Sequence, residues 1–246
     1  MSRGRLLLLG SGEFTPVMDD LDREILASIP KPRPRIAIVP TASGLEETPQ
    51  SWSDMGIAHF APLGADAIPV MVLRRDDARD RRWIEALRDV DWIFFSGGRP
   101  QHAIAALEGT PFWDAVVRRH REGAVLAGAS AGAMMLGEKS YAPDNFDEGG
   151  FPQTIAMRDG LNVLPGHFVI PHFDLLGTFP SERVGEWIAL WPDGCRGIGI
   201  DEDTAIVEGP DRWTVWGRGR AVTMSSFQKQ EIHPPGTSFD AIRVRV

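Results

Sequence analysis

The sequence predicts an α/β fold in which helices cover both faces of a largely parallel sheet. Five short apolar runs each end in turn residues, and their near-continuous apolar character is typical of strands buried on both faces. Stretches with helical spacing of apolar residues separate these runs, and such an alternation of strand and helix favours parallel pairing. The predicted strands are residues 5–9, 35–39, 67–73, 91–95 and 124–129.

The remaining elements follow from the same patterns. Residues 197–208 and 213–216 are typical of strands, and residues 241–246 alternate in polarity, so we expect the second half to extend the sheet with antiparallel strands. No linker separates the two halves, and a single domain over residues 1–246 is expected. The predicted helices are residues 19–28, 80–87, 101–107 and 112–122.

Composition limits the classes of function and partner. The chain has 246 residues, 43% of them hydrophobic, and a net charge of −8, with no strong basic patch, so we expect no nucleic-acid partner. The apolar run at residues 6–9 is too short for a signal peptide or a membrane span, so no membrane partner is expected. The single cysteine, Cys195, excludes an internal disulfide framework and a cysteine zinc cluster, and it fits a cytoplasmic protein.

The segment GASAG at residues 128–132 matches the G-x-S-x-G pattern around Ser130. In a nucleophile elbow, a sharp turn between strand and helix presents a serine hydroxyl, and the flanking residues must be small. Here the pattern follows a predicted strand and opens a helix-like stretch. The alternative is a tight packing turn in which Ser130 caps the helix. We favour Ser130 as a nucleophile, with backbone N–H groups of the helix facing a developing oxyanion.

A serine nucleophile needs a base and a group that orients the base. Of the six histidines, His172 closes a strand-like run and can project at a sheet edge, although a structural histidine is the competing interpretation. The carboxylates at residues 201–203 end another strand and could orient the base, or form an ordinary charged turn. The pair Gly97-Gly98 allows close backbone approach to a ligand, as a plain loop also would.

Four sequence blocks together resemble the serine peptidase family of dipeptidase E and cyanophycinase. The blocks are IFFSGG (93–98), GASAGA (128–133), GLNVL (160–164) leading to HF (172–173), and GIGIDEDTA (197–205). The resemblance covers most of the chain. It implies a three-layer sandwich like that of class I glutamine amidotransferases, which is also flavodoxin-like, with the nucleophile on a strained elbow.

The resemblance also implies roles for individual residues. Ser130 would be the nucleophile, His172 the base and Glu202 the orienting acid, as in the cyanophycinase branch. The backbone N–H groups of Gly98 and Ala131 would form the oxyanion hole. The dipeptidase E branch takes its acid from a position between the serine and the histidine. The candidates there are Asp144, Asp147 and Glu148.

The residues around His172 depart from the cyanophycinase pattern, which has an acidic-amide pair before the histidine and several arginines after it. This chain has Ile170-Pro171 before His172 and Asp174-Leu175-Leu176 after it, with Glu186 where another arginine would be expected. Family members generally favour an acidic residue on the acyl side, which a basic group would have to hold. The candidate substrate-binding residues are Gln101, Arg99 and Arg183.

Three hypotheses of function follow. The first is a cytoplasmic serine exopeptidase of small peptides, with aspartyl dipeptides as candidate substrates and no metal or organic cofactor. The second is an α/β-hydrolase-type esterase, whose chain order would give Ser130, then Asp201 or Asp203, then His233. The third is a non-catalytic module that binds a small metabolite. The sequence does not fix the oligomeric state, although a homodimer is common among such folds.

Overall fold

A computed structural model describes residues 3–146 and 152–245. The strands are β1 (Leu6–Leu9), β2 (Arg35–Val39), β3 (Asp66–Pro69), β4 (Trp92–Phe95), β5 (Val125–Ala129), β6 (Lys139–Phe146), β7 (Pro152–Asp159), β8 (His167–Ile170), β9 (Arg196–Ile200), β10 (Thr204–Glu208), β11 (Arg212–Gly217), β12 (Ala221–Ser226), β13 (Lys229–His233) and β14 (Ser238–Asp240). The helices are α1 (Asp19–Ser28), α2 (Gln50–Phe60), α3 (Arg81–Ala86), α4 (Pro100–Leu107), α5 (Pro111–Arg121), α6 (Ala131–Met134) and α7 (Ser181–Ala189). Within the described ranges, no helix combines the length and the apolar character needed to cross a membrane.

A mixed, mostly parallel sheet of eight strands forms the centre of the fold. Its strand order is β14-β11-β10-β1-β5-β4-β2-β3. The five strands from β1 to β3 in that order pair in parallel, and β10, β11 and β14 extend the sheet with antiparallel pairing beyond β1. The predicted antiparallel extension is therefore present in the second half of the chain.

Helices cover both faces of this sheet. Neighbouring residues of a strand point to opposite faces, and in β1 Leu6 and Leu8 belong to one buried cluster while Leu7 and Leu9 belong to another. Apolar residues of α4 and α5 complete the first cluster, and those of α1 and α2 complete the second. Continuous apolar runs in the sequence arise because both faces of each central strand are buried.

Several predicted strands have different bounds in the structure. The predicted strand at residues 197–208 is two strands, because Asp203 has a φ of 53°, which extended backbone does not adopt. Its first part, β9, belongs to a separate four-stranded sheet of order β13-β12-β9-β8, which the sequence did not predict. The predicted strand at 67–73 ends at Pro69. Residues 241–245 form no strand, and the Arg245 N–H donates instead to the carbonyl of Val163.

The sheet topology brings several strand ends to one edge. Strands β1, β5 and β4 are neighbours and parallel, so the residues that follow them lie side by side: Gly10, Ser130 and the turn at 96–98. Strand β10 runs antiparallel to β1 and begins at the same edge, where the Gly10 N–H donates to the carbonyl of Thr204 at 2.9 Å. Parallel sheets bind ligands at this edge.

His120, near the end of α5, links the pH of the solution to the stability of the fold. Its Nδ1 lies 2.9 Å from the carbonyl oxygen of Ala124, which can only accept, so Nδ1 carries the proton. Its Nε2 is buried without a hydrogen-bond partner among the described residues, and burial lowers the pKa of the imidazole. A second proton on the native ring would have no acceptor.

We predict that acidification destabilises the protein partly through His120. The unfolded chain binds a proton at the ordinary pKa of about 6.5, whereas the native ring stays neutral to a lower pH, so stability falls as the pH drops below about 6.5. In His120→Asn, whose amide can still donate to Ala124, the loss of unfolding free energy between pH 7.5 and pH 5 should be smaller. Urea unfolding at the two pH values measures the difference, and an unchanged loss would contradict the assignment.

Candidate active site

Ser130 lies directly after β5 in a backbone conformation that side-chain-bearing residues rarely adopt. Its φ is 50° and its ψ is −116°, and its N–H donates to the carbonyl of Leu9 on the neighbouring strand at 3.0 Å. Such a conformation costs about 1–3 kcal/mol and persists only where the surrounding structure enforces it. The half-buried serine is thereby turned out of the strand, and α6 begins at the next residue.

Two glycines make this turn possible. A Cβ on Gly128 would lie 2.3 Å from the carbonyl oxygen of Gly132, and a Cβ on Gly132 would lie 2.4 Å from the carbonyl oxygen of Phe95. Both contacts are with backbone atoms, which cannot move aside as the end of a flexible side chain can. The small residues on either side of Ser130 are therefore required by the close approach of three backbone segments.

Ser130, His172 and Glu202 form a continuous hydrogen-bonded chain. The Oγ of Ser130 lies 2.9 Å from Nε2 of His172, and Nδ1 of His172 lies 2.9 Å from Oε1 of Glu202. An ionised carboxylate only accepts, so in the neutral imidazole the proton is on Nδ1 and Nε2 accepts from the serine hydroxyl. This tautomer is the one that can take a proton from Ser130.

The second sheet explains why His172 and Glu202 meet. Strands β8 and β9 are parallel neighbours, with Ile170 opposite Gly199, and each of the two side chains follows its strand by two residues. His172 has a φ of 49° and a ψ of 38°, a left-handed conformation that turns the chain into a 3₁₀ turn. In that turn, Oδ1 of Asp174 accepts the backbone N–H of Glu202 at 2.8 Å, which ties the two loops together.

The three carboxylates at 201–203 point in different directions. Asp201 accepts the backbone N–H of Arg220 at 3.0 Å, and burial raises the pKa of its carboxyl. Asp203 lies 3.4 Å from a guanidinium nitrogen of Arg218. Glu202, between them, is the carboxylate that reaches His172.

The esterase constellation is not assembled. His233 ends β13, where its Nε2 lies 2.9 Å from the hydroxyl of Thr223 and its ring stacks on Phe239. All six histidines lie in the described part of the chain, and five have partners other than Ser130. Those partners are Asp22 for His59, the Leu73 carbonyl for His102, the Ala124 carbonyl for His120, the Pro165 carbonyl for His167, and Thr223 for His233.

The glycine pair after β4 is held against Ser130 from two sides. The carbonyl of Gly97 accepts the hydroxyl of Ser43 at 2.7 Å, and its N–H donates to Oε1 of Glu13 at 3.1 Å. A Cβ on Gly98, whose φ is 136°, would lie 2.4 Å from the backbone of Ala42. The peptide between the glycines is trans, so its carbonyl and the Gly98 N–H point in opposite directions. The bond from Ser43 therefore fixes the direction of that N–H.

Sequence reasoning missed Ser43, Glu13 and Asp174. Glu13 follows the glycine turn after β1. A carboxylate near the carboxyl end of a parallel strand could have indicated a residue of the site. Glu13 is buried, and burial raises the pKa of its carboxyl. Ser43 and Asp174 bond to backbone groups of distant segments, and no spacing along the chain indicates those contacts.

The predicted substrate-binding residues are engaged elsewhere. Gln101 donates through Nε2 to the carbonyl of Pro143 at 2.8 Å, and its Oε1 is buried without a partner in the described residues. Arg99 lies 3.3 Å from Asp144, which the dipeptidase E pattern offered as an alternative acid. Arg183 lies 2.9 Å from Glu186. The other alternative acids, Asp147 and Glu148, fall outside the described residues.

A cavity of about 600 Å³ opens beside the serine. Ser130, His172 and Gly98 all line it, whereas Arg99 and Arg183 do not. The same residues that could act on a carbonyl group therefore face a space large enough for a small ligand. The described residues contain no group of three or more His, Cys, Asp or Glu side chains that could hold a metal ion.

Residues 6–214 match the sequence model of peptidase family S51. The chain belongs to peptidase family S51. It is 29% identical over 206 residues to a cyanophycinase of Nostoc sp. (strain PCC 7120 / SAG 25.82 / UTEX 2576), covering 81% of this chain and 66% of that protein. A cyanophycinase of Geminocystis herdmanii (strain PCC 6308) is 30% identical over 187 residues, covering 75% and 66%. Each match spans slightly less than two thirds of the relative's length.

Solved structures agree with the S51 assignment. A peptidase from an acI-B1 Actinobacterium is similar to this chain with a TM-score of 0.82 and 29% identity, over 97% of both chains. A putative Peptidase E protein from Listeria monocytogenes EGD-e has a TM-score of 0.59 at 17% identity, over 88% of this chain and 99% of that one. The second likeness concerns the fold alone. The mixed α/β architecture with a large central sheet is therefore shared with these two solved structures.

We predict that the Ser130 turn of this S51 chain does not tolerate a side chain at position 128. In Gly128→Ala, the new methyl group would meet the Gly132 backbone, and the free energy of unfolding should fall by about 2 kcal/mol or more. Gly185→Ala is the control, because a Cβ there meets nothing within 4 Å and alanine favours the helix by about 0.5–1 kcal/mol. Equal stabilities of the two variants in urea would contradict this account.

Proposed function

We propose that this S51 member is a serine-type exopeptidase that hydrolyses small peptides through an acyl-enzyme on Ser130. The observation that carries the proposal is the chain of contacts from Ser130 through His172 to Glu202, with 2.9 Å at each step. It is the arrangement of nucleophile, base and orienting acid that acyl transfer requires. The backbone of Ser130 supports the further inference that the turn is a strained nucleophile elbow.

In the proposed acylation step, Ser130 Oγ attacks the carbonyl carbon of the scissile bond while His172 Nε2 takes the hydroxyl proton. Glu202 keeps the imidazole in the required tautomer and stabilises the imidazolium. The C–N bond then breaks, and the imidazolium gives its proton to the leaving amine. In deacylation, His172 removes a proton from water, the hydroxide oxygen attacks the ester carbon, and the proton returns to Ser130.

The negative charge that develops on the carbonyl oxygen needs donors beside Ser130. We propose that the N–H groups of Gly98 and Ala131 supply them. Gly98 lines the cavity with Ser130, and the direction of its N–H follows from the bond between Ser43 and Gly97. Ala131 follows the serine directly and begins α6. Donors that are fixed before the reaction stabilise the transition state without reorganisation.

Other parts of the hypothesis remain predictions. The aspartyl dipeptides that the resemblance implies would need a cation near Ser130, and Arg99 and Arg183 each pair with a carboxylate and lie outside the cavity lining. A cytoplasmic location, a homodimer and activity without a cofactor are further parts of the proposal. A non-catalytic binding module stays the alternative that the first experiment addresses.

We predict that Ser130→Ala and His172→Asn each lower kcat on a cleaved peptide by about ten-thousand-fold or more. Glu202→Gln should lower it by about a thousand-fold to ten-thousand-fold, because the amide no longer stabilises the imidazolium. Initial rates of peptide hydrolysis, followed by amine release, measure these losses. Circular dichroism of each variant shows whether the fold is retained.

His233→Gln separates the peptidase from the esterase hypothesis. His233 bonds to Thr223 and not to Ser130, so this variant should keep kcat within about threefold of the wild type once its fold is verified. Loss of activity in His233→Gln with activity kept in His172→Asn would overturn the proposed triad. A wild-type protein that hydrolyses neither peptides nor a simple ester would favour the binding module.

We predict that Ser43 acts as a positioning residue for the Gly98 N–H. In Ser43→Ala the Gly97-Gly98 peptide loses the bond that fixes its orientation, so kcat should fall by about tenfold to a hundredfold while KM changes little. Steady-state kinetics on the best peptide separate the two constants. A fall in stability with kcat unchanged would assign Ser43 a purely structural role.

Thr41→Val is the matched control for Ser43→Ala. Thr41 is a buried residue of the 3₁₀ turn Thr41–Ser43 that also holds Ser43. Its hydroxyl donates to the carbonyl of Val72 at 2.7 Å, not to the glycine pair. Each substitution leaves a buried carbonyl without its hydroxyl donor and should cost about 1–3 kcal/mol of stability. Thr41→Val should therefore match Ser43→Ala in urea unfolding while its kcat stays at the wild-type value.

A further inference from the structure

The chemical character of the cavity beside Ser130 is unlike that of a site for a charged side chain. Among the described residues that line it there is no Asp, Glu, Lys or Arg. Its walls come from α7, the 3₁₀ turn at Phe173–Thr178, the hairpin of β6 and β7, and the segment that leads from β8 to His172. Side chains such as Ile155, Leu176, Val184 and Trp187 make this cavity mainly apolar, and we name it the apolar cavity.

Three polar side chains of the wall, those of Tyr141, Trp191 and Thr178, are already bonded within the protein. The hydroxyl of Tyr141 donates to the carbonyl of Trp187 at 2.8 Å, and burial raises the pKa of that phenol to about 12, so it stays neutral. The indole N–H of Trp191 donates to the carbonyl of Cys195 at 3.0 Å, and the hydroxyl of Thr178 donates to the carbonyl of Leu175 at 2.7 Å. A ligand in the apolar cavity therefore meets few donors besides the reacting groups.

The aromatic rings of the wall are fixed by their own contacts. Trp187 packs edge-on against Phe179 with 4.7 Å between ring centroids, and Trp191 packs edge-on against Phe168 at 4.8 Å. Fixed aromatic walls favour aromatic or branched aliphatic ligands, since these bury apolar area and need no hydrogen-bond partners. A carboxylate or guanidinium in the same place would lose hydration without gaining a side chain of opposite charge from Asp, Glu, Lys or Arg among the described lining residues.

We propose that the apolar cavity is the substrate's side-chain site, and that it takes a large apolar side chain on a residue flanking the scissile bond. This assignment rests on the proposed peptidase function. It departs from the aspartyl preference that the sequence resemblance implies. The volume of about 600 Å³ suits one large side chain together with part of the peptide backbone that reaches Ser130.

The test uses the full chain and two matched series of dipeptides, Xaa-Ala and Ala-Xaa, in which Xaa is Phe, Leu, Ala, Arg or Asp. β-Aspartyl-arginine is added as a contrasting substrate, because both of its residues carry charged groups. In at least one series, kcat/KM should be about tenfold or more higher for Phe or Leu than for Ala, and lowest for Asp and Arg. Preference for Asp, Arg or β-aspartyl-arginine, or equal rates throughout, would overturn the proposal.

Val184→Arg places a cation in the wall, and Ala189→Arg places the same residue on the exposed end of the same helix, outside the cavity lining. Val184→Arg should lower kcat/KM for the Phe peptide about tenfold. The ratio of kcat/KM for the Phe peptide to that for the Asp peptide should fall, to below one if the preference reverses. Ala189→Arg should leave both values unchanged. Equal effects of the two variants would remove the apolar cavity from substrate selection.

Binding to Ser130→Ala separates this proposal from the peptidase function. Titration calorimetry with the same dipeptides should give a Kd about tenfold or more lower for the Phe peptide than for the Asp peptide, whether or not the wild type hydrolyses either. Phe-selective binding without hydrolysis would uphold the cavity assignment and overturn the peptidase. Hydrolysis that depends on Ser130, together with tighter binding of Asp peptides or no binding of Phe peptides, would uphold the peptidase function and overturn the cavity assignment.

Discussion

The backbone of Ser130 is the constraint on which the rest of the site depends. A residue with a φ of 50° and a ψ of −116° must be held from outside, at a cost of about 1–3 kcal/mol. The neighbouring strands hold it: Ser130 bonds to Leu9 of β1, and Gly132 approaches the end of β4 so closely that no Cβ fits. The central strands must therefore be parallel neighbours before the serine can project into the cavity.

A second set of strands brings His172 and Glu202 to this serine. Strands β8 and β9 belong to the smaller sheet, and the chain passes from β9 to the central sheet through only three residues, 201–203. Because β10 begins at the edge where β1 ends, that short passage must cross beside Ser130. The acidic cluster follows from this passage: its outer two carboxylates bind Arg220 and Arg218, and its middle one reaches His172.

The sequence predicted those features whose signal is local. Continuous apolar runs identified the central strands. The small residues around Ser130 indicated a tight turn, and the structure shows the reason, which is that backbone segments approach one another closely there. The smaller sheet was missed because the sequence pattern of β9 and β10 does not reveal that they pair with different partners. Ser43 was missed because its contact joins segments that are far apart in the sequence. The apolar cavity was missed because its walls come from several distant segments, and their apolar residues cannot be told apart from core residues in the sequence.

In the proposed peptidase, the apolar cavity would select substrates by excluding charged side chains as much as by attracting apolar ones. Ile170, Pro171, Leu175 and Leu176 flank His172, where the sequence departs from the cyanophycinase pattern, and all four line the cavity. An aspartyl carboxylate placed there would lose hydration and meet no Lys or Arg among the described lining residues, whereas an apolar side chain would release water at no such cost. The exposed pair of Arg99 and Asp144 cannot compensate from outside, because solvent weakens such charges. In the proposed peptidase, departures around one histidine would therefore suffice to change the substrate class while Ser130, His172 and Glu202 stay in place.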